Sequence, residues 1–279
     1  IGFHDSYECY INNLNMVWSE CNRVLHDGCR LCINIGDQFA RSVYYGRYKV
    51  IPIRTEIIRF CETLGMDYMG AIIWQKQTTM NTSGGGAVMG SFPYPRNGIL
   101  KIDYEFILVF KKQGKAPTPS AEQKKLSEMT KEEWNTYSAS HWTFGGAKQD
   151  GHIAVFPEEL PHRLIKMFSF AGETIFDPFM GVGSMGVAAL SLDRRFIGVE
   201  IDENYFKMTE EKKIQELKKE EKNRQREERK RQKQLEWEKQ LDSLDEEVKM
   251  NVVKFKKEEQ KKMKGLSKAI QVIAKIGKV

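Results

Sequence analysis

Hydrophobic positions in the first two hundred residues switch repeatedly between helical and strand spacing. From residue 6 to 25, Leu14, Val17, Trp18, Cys21, Val24 and Leu25 fall on one face at a 3.6-residue period, which predicts an amphipathic helix. Ser6 stands ahead of it as an N-cap, and Asp27-Gly28 ends it. A short apolar run, Leu31 to Ile35, predicts a strand ending at Gly36-Asp37. Residues 52–64 read as a second helix, with Pro52 in its first turn, Gly65 past its end, and Ile53, Ile57, Ile58, Cys61 and Leu64 on its apolar side. Further strands are expected at 67–75 and at 104–110, the latter apolar almost throughout and so buried on both faces.

The stretches between and after these elements differ in texture. Residues 77–102 are rich in Thr, Ser, Gly and Asn and read as a long loop, of a length that is either functional or disordered. Residues 111–150 begin Lys/Pro/Ser-rich, hold a helical piece near 121–138, and continue through His141-Trp142 to Gly145-Gly146. At 151–173 Pro157, at a first helical position with Glu158 and Glu159 behind it, opens a helix that buries Leu160, Leu164, Ile165 and Phe168.

The organising segment is 173–202, ETIFDPFMGVGSMGVAALSLDRRFIGVEID. It reads as strand, glycine turn, small-residue helix, strand, with Glu200 at the end of the second strand. Glycines let a backbone pass close to a ligand, and a carboxylate in that position can accept both hydroxyls of a ribose. The pattern therefore predicts an adenosine-type cofactor cradle. Gly181, Gly183 and Gly186 also spell the dinucleotide fingerprint. Against NAD, Asp177-Pro178-Phe179 intervenes between strand and glycines, and the acid follows the last glycine by only 14 residues.

DPFMGVG with GVEID downstream resembles the S-adenosylmethionine-binding motifs of DNA amino-methyltransferases, whose usual form is DPFxGSGTT. Val182 and Ser184-Met185 depart from that form. The segment His152-x-x-x-Phe156-Pro157-x-x-Leu160 resembles the family piece that lines the methionine end of the cofactor. The motif order, cofactor half after catalytic half, is that of the β group. The resemblance covers residues 1–206 and implies an α/β, Rossmann-like S-adenosylmethionine-dependent methyltransferase sheet with circularly permuted motif order. It names His152, Phe156, Pro157, Asp177, Pro178, Phe179, Gly181, Gly183, Ser184, Glu200 and Asp202 as cofactor-binding. The family's catalytic motif is polar-Pro-Pro-aromatic, and no Pro-Pro occurs in this chain. By family order the motif sits immediately ahead of Ile1, so the resemblance implies a sheet incomplete at its N-terminus, with a central gap, and a chain inactive by itself.

For the substrate, the resemblance implies duplex DNA, a base turned out of the stack, and a methyl group placed on its exocyclic amine. RNGILKIDYEFILVFKK looks more like members acting on cytosine N4 than on adenine N6. The 77–102 and 111–150 segments become candidate DNA-facing insertions. Phe92, Tyr94 and Arg96 suit base stacking and phosphate contact, although the two aromatics serve equally as anchors of their own loop. Asn34 and Asp37 lie where open α/β sheets bind ligands, at a strand's carboxyl end, and Trp74 ends the next strand. A turn with a capping Asp accounts for Asp37 as well. A restriction endonuclease acting on the same site is the partner such an enzyme implies. Readings of another class are a nucleotide-dependent oxidoreductase and a non-catalytic DNA-binding fragment.

Composition changes this picture at one end only. Residues 203–279 hold 23 Lys/Arg and 16 Asp/Glu, a net of +7, whereas the first 202 residues are nearly balanced, 21 against 22. The basic excess belongs to the tail. There, residues 207–279 read as a charged helical extension with a short 3–4 apolar repeat from Leu241 and a small amphipathic helix after Gly265. DNA phosphates, a docking partner or solvent are its alternatives. The five cysteines are odd in number and irregularly spaced, so neither a disulfide framework nor a metal site is expected, and Cys29 and Cys32 read as core. No apolar run nears the roughly 20 residues that cross a bilayer, and no signal peptide pattern is visible. A soluble, reducing, cytoplasmic setting is expected.

Overall fold

The structure is a computed structural model that describes residues 5–40, 42–77, 93, 94, 96, 100, 102–146, 156–209, 226–232 and 235. The chain divides into two compact units, 1–213 and 214–279. In the second, residues 226–232 are helical, with an exposed Glu227–Lys230 pair one turn apart.

The first unit opens with α1 (Tyr7–Val24), capped as expected by the Ser6 side chain, which accepts from Cys9 N–H. Leu14, Trp18 and Cys21 are buried, but Val24 is half exposed. The helix ends there, and its last carbonyls turn instead toward Lys112, whose Nζ donates to Asn22 O at 2.7 Å and Leu25 O at 2.8 Å. β1 (Arg30–Ile35) follows, then β2 (Gln38–Ala40), α2 (Ser42–Tyr45) and β3 (Lys49–Ile51), a small hairpin that hydrophobic spacing does not announce. α3 (Ile53–Thr63) leads into β4 (Met66–Gln77), and β5 (Tyr104–Lys112) completes the first half.

β1, β5, β4 and β6 (His141–Gly145) form one mixed sheet in that order. β5 runs antiparallel to both neighbours, whereas β6 pairs parallel with β4. Central β5 is buried on both sides, which is why its sequence is a continuous apolar run. Phe106, Leu108 and Phe110 meet α1 and α3 on one face; Ile107 meets α6 on the other. The helical piece expected near 121–138 is two helices, α4 (Ala121–Leu126) and α5 (Lys131–Tyr137). Ser120 and Thr130 each build a reciprocal capping box, so the second cap interrupts what periodicity would read as one helix.

α6 (Glu159–Phe168) begins two residues later than Pro157 suggests: Pro157 contributes a carbonyl that accepts from Leu160 N–H at 3.0 Å. Leu160 and Leu164 pack on Ile72, Trp74, Ile107 and Trp142. One step around the helix, Ile165 packs on Ala188 and Ala189, beside Ile175 and Phe196. α6 thus joins the four-stranded sheet to a second piece, β7 (Thr174–Asp177), α7 (Ser184–Ser191) and β8 (Arg195–Gly198). β7 and β8 pair parallel, Ile175 opposite Phe196. Among the described residues no strand ladder links this pair to β1.

Two arginines hold the connections. Arg163 lies over the rings of Tyr137 (5.2 Å), Trp142 (5.1 Å) and Phe144 (4.8 Å) while pairing with Glu159 at 2.8 Å. Arg194 is only 4% exposed and donates to Ser169 O (2.7 Å), Leu192 O (2.5 Å), and the Ser169 and Ser127 hydroxyls. Replacing it strands several buried acceptors at once, each worth about 1–3 kcal/mol. Arg194→Met is therefore expected to destabilise the unit by roughly 2–4 kcal/mol, read as a lower urea midpoint at unchanged slope.

Candidate functional site

The organising segment folds as its spacing implies. β7 delivers Asp177, the chain turns through Pro178-Phe179-Met180, and Gly183 starts α7 without a side-chain cap. Gly183 has φ +78°, and a Cβ there would lie 2.5 Å from the Thr209 methyl. Gly186 permits close packing of α7 on β8, since a Cβ would lie 2.8 Å from the Phe196 ring. Val182 and Ser184 are buried beneath the turn.

Gly181 is held from both sides. Its N–H donates to Glu200 Oε2 at 2.7 Å, and its carbonyl accepts from Thr209 Oγ1 at 2.9 Å. The other Glu200 oxygen accepts from Asp202 N–H at 2.9 Å. Asp202 in turn caps the helical residues 203–209, its Oδ1 accepting from Asn204 N–H at 2.8 Å and Tyr205 N–H at 3.3 Å. Each Glu200 oxygen uses one lone pair on the backbone and keeps one for a hydroxyl donor. Asp177 Oδ1 accepts from Phe179 N–H at 3.0 Å. Burial first, and the nearby Glu200 charge in lesser measure, raise the Asp177 carboxyl above its ordinary value, while the Phe179 N–H works the other way. Phe179 is exposed on one side and meets Trp18 of α1 edge-on at 5.9 Å between ring centres.

The structure thus brings together Asp177, Pro178, Phe179, Gly181, Gly183, Ser184, Glu200 and Asp202. Phe156 packs instead against the Trp74–Trp142–Leu164 cluster, and no hydrogen bond or ring contact among the described residues ties it or Pro157 to the turn. His152 and Phe92 lie outside the described residues. Tyr94 and Arg96 are exposed, Arg96 with φ 82°.

A second polar group gathers at the carboxyl end of β1. Asn34 Nδ2 donates to Glu105 Oε2 at 2.8 Å, and Lys76 donates to the other oxygen. A carboxylate only accepts, so the Asn34 amide must present its nitrogen there and its Oδ1 elsewhere. That Oδ1 is buried and unpartnered among the described residues, and so is Asp37 Oδ1. The other Asp37 oxygen pairs with Arg54 Nε at 3.5 Å. Trp74 corrects the sequence reading. It is 2% exposed, stacks on Phe144 at 5.2 Å and donates its indole N–H to Phe144 O, leaving no face for a base. The sequence places it at a strand end, but β4 runs on to Gln77 and pairs there with β6, which covers it.

Sequence spacing missed Glu105, Lys76, Thr209 and Trp18. Glu105 alone had a signal, a lone acid inside the run YEFILVF. Burial pushes the Cys32 thiol up to about 12 and, helped by Asp177, Cys21 up to about 11, so neither is a ready nucleophile.

The DNA methylase family model for N6 and N4 methyltransferases matches residues 1–211. The chain belongs to this family. It is 36% identical over 212 residues to the type II methyltransferase M.MjaI of Methanocaldococcus jannaschii, covering 74% of this chain and 68% of that one. It is 32% identical to the type II methyltransferase M.MthZI of Methanothermobacter thermautotrophicus, covering 76% of this chain but only 61% of that one. Among solved structures, TTHA0409 of Thermus thermophilus, a putative DNA modification methylase complexed with S-adenosyl-L-methionine, superposes with a TM-score of 0.64 at 34% identity. That match covers 74% of this chain and 77% of TTHA0409. PvuII DNA methyltransferase, cytosine-N4-specific, shares the fold at 15% identity and a TM-score of 0.55, over 74% of this chain and 73% of its own. The fold is therefore the Rossmann-like methyltransferase fold, and membership in this family sets aside the oxidoreductase reading.

Two outcomes are expected of the turn. Gly183→Ala forces a left-handed Cβ onto Thr209 and is expected to lose about 1–3 kcal/mol of stability, measured by urea unfolding. Asp177 has a folded pKa above its unfolded one, so its stability contribution is present at low pH and is lost as pH rises through the folded value. Asp177→Asn is accordingly expected to melt above the wild type at pH 8, the difference vanishing toward pH 3; a pH-independent difference would refute the assignment.

Proposed function

We propose that this chain carries the cofactor half, and part of the substrate-facing half, of an S-adenosylmethionine-dependent DNA methyltransferase that modifies the exocyclic amine of cytosine, at N4, in duplex DNA. The observation that carries the reading is the Gly181 clamp with its half-used Glu200 carboxylate. The donor set suits the cofactor's parts. Glu200 offers acceptors to ribose hydroxyls, Asp177 an acid for a cationic amine, and Phe179 an exposed ring beside the adenosyl group. The uncapped start of α7 offers N–H donors to a carboxylate. When bound, the cofactor supplies a methyl group on a sulfonium, an electrophile that needs no covalent enzyme intermediate.

The protein's part is then positioning and exclusion of water. Asn34 Oδ1 and Asp37 Oδ1 are acceptors waiting for N–H donors, and the target amine is such a donor. His152, Phe156 and Pro157 serve the methionine end in this reading, and Phe92, Tyr94 and Arg96 the DNA. The starts of β1 and β7 lie near each other: Cys29, just before β1, feels the Glu173 charge, and Arg30 lies 6.0 Å over Phe168 at the end of α6. The partners are double-stranded DNA and a restriction endonuclease of the same specificity, and residues 207–279 form an extension to residues 1–206.

The direct test is transfer of labelled methyl from S-adenosylmethionine to DNA, followed by nucleoside analysis. N4-methylcytosine is expected; N6-methyladenine would move the reading to the family's other base, and DNA binding without transfer would leave a DNA-binding module. Independently of turnover, Glu200→Ala is expected to weaken S-adenosylmethionine binding by about tenfold or more in calorimetry, from the loss of charge-assisted hydrogen bonds worth about 1.5–3 kcal/mol. Unchanged affinity would exclude Glu200 from the ribose site.

A further inference from the structure

Between β1 and α3 the chain projects the hairpin β2–α2–β3, starting one residue past Asp37. Its base is fastened. Gln38, Phe39 and Ala40 pair with Ile51, Val50 and Lys49, Ala40 is 4% exposed, and Phe39 lies 5.7 Å from Tyr48. Arg54, just beyond, pairs with Asp37 and lies 3.9 Å over Phe106 of β5. The outer part is the opposite. Val43 is 80% exposed, Tyr45 48%, Tyr48 59% and Val50 46%, and Arg47 and Lys49 are exposed with them. Lys49 Nζ lies 5.0 Å over the Tyr45 ring. Residues 38–51 contain no Asp or Glu, and among the described residues neither Arg47 nor Lys49 is ion-paired.

Such a patch is out of keeping with the body that bears it, whose charge over residues 1–202 is nearly balanced. An exposed surface of two uncompensated cations and two tyrosines, rooted firmly and placed beside the orphan acceptors of Asn34 and Asp37, fits a polyanion. Cations neutralise phosphates, and phenol hydroxyls donate to phosphate or sugar oxygens.

We propose that this hairpin grips the phosphate backbone of duplex DNA next to the target base, with Arg47 and Lys49 on phosphates and Tyr45 and Tyr48 on the sugar–phosphate edge. The proposal rests on the DNA methyltransferase reading and adds to it a contact element separate from the long loop and the charged tail. It works without sequence readout: the hairpin positions the duplex over the strand ends, whatever segment reads the bases.

The test uses the full chain with S-adenosylmethionine and a fluorescent mixed-sequence duplex of about 25 base pairs, following affinity against salt. Each phosphate contact contributes a slope of about 0.9, so Arg47→Ala with Lys49→Ala is expected to reduce the slope by about 1.8. Affinity near 0.1 M salt should fall about tenfold or more. The charge-preserving pair R47K/K49R should keep the wild-type slope, and S-adenosylmethionine affinity and melting temperature should stay unchanged in both. An unaltered slope in the alanine pair, with the wild type still binding, overturns the hairpin proposal and leaves the methyltransferase reading standing. A slope lost in the charge-preserving pair as well overturns the phosphate assignment. Absence of any salt-dependent DNA binding by the wild type fails the DNA reading itself, and the hairpin with it.

Discussion

The two hydrogen bonds on Gly181 are the constraint on which the site depends. β7 and β8 pair over only four residues each, too short a ribbon to fix a ligand loop alone. The turn between them is set instead by groups that arrive later in the chain, Glu200 on the Gly181 N–H and Thr209 on its carbonyl. Thr209 reaches its place because Asp202 caps the helical residues 203–209, and Asp202 is itself held by Glu200. One carboxylate therefore closes the turn, holds the cap of the next helix and keeps lone pairs for further donors. In the proposed function, cofactor binding and the stiffness of the glycine turn are coupled through that one side chain.

α6 has the complementary role at larger scale. Its Leu160 and Leu164 belong to the core of the four-stranded sheet, while Ile165 belongs to the core around α7. With no ladder between β1 and β7 among the described residues, side-chain packing rather than backbone hydrogen bonding sets one against the other. Trp18, edge-on to Phe179, makes a second such contact from the opposite side of the sheet. Arg163 and Arg194 steady the two ends of this splint by cation–π contact and by carbonyl capture.

How far the sequence reveals this depends on whether the cause is local. The β7–turn–α7–β8 unit is legible because glycine conformation, helix period and strand period all act within one short segment. The buried strand β5 is legible for the same reason. Trp74 is not: an aromatic near a strand end reads the same whether or not another strand covers it, and β6, HWTFG, alternates over only five residues, too few to declare itself. Val24 fits the helical stripe but falls past the last turn that the core reaches. The hairpin at 38–51 has strands of three residues, below any periodicity, and its significance lies in exposure and missing counter-charges. Thr209 and Glu105 act across 28 and 71 residues of sequence, respectively, to Gly181 and Asn34, and no window joins them.

The distribution of polar groups around the strand ends obeys one logic in the proposed function. A buried acceptor without a donor costs about 1–3 kcal/mol, yet Asn34 Oδ1 and Asp37 Oδ1 meet no donor among the described residues. Glu105 prevents relief by rotation of the Asn34 amide, because turning it would set oxygen against carboxylate. In that function the two acceptors at the strand ends draw an amine, while the exposed hairpin, whose Arg47 and Lys49 have no ion pair among the described residues, draws phosphate. An exocyclic amine and a phosphodiester are the two chemically distinct ends of one nucleotide. In the proposed function, buried acceptors at the root of a cationic hairpin sort them in opposite directions, drawing the base edge inward while the backbone stays outside. That polarity favours a base turned out of the helix over a duplex lying flat across the sheet edge, and it does so before any sequence-reading contact is made.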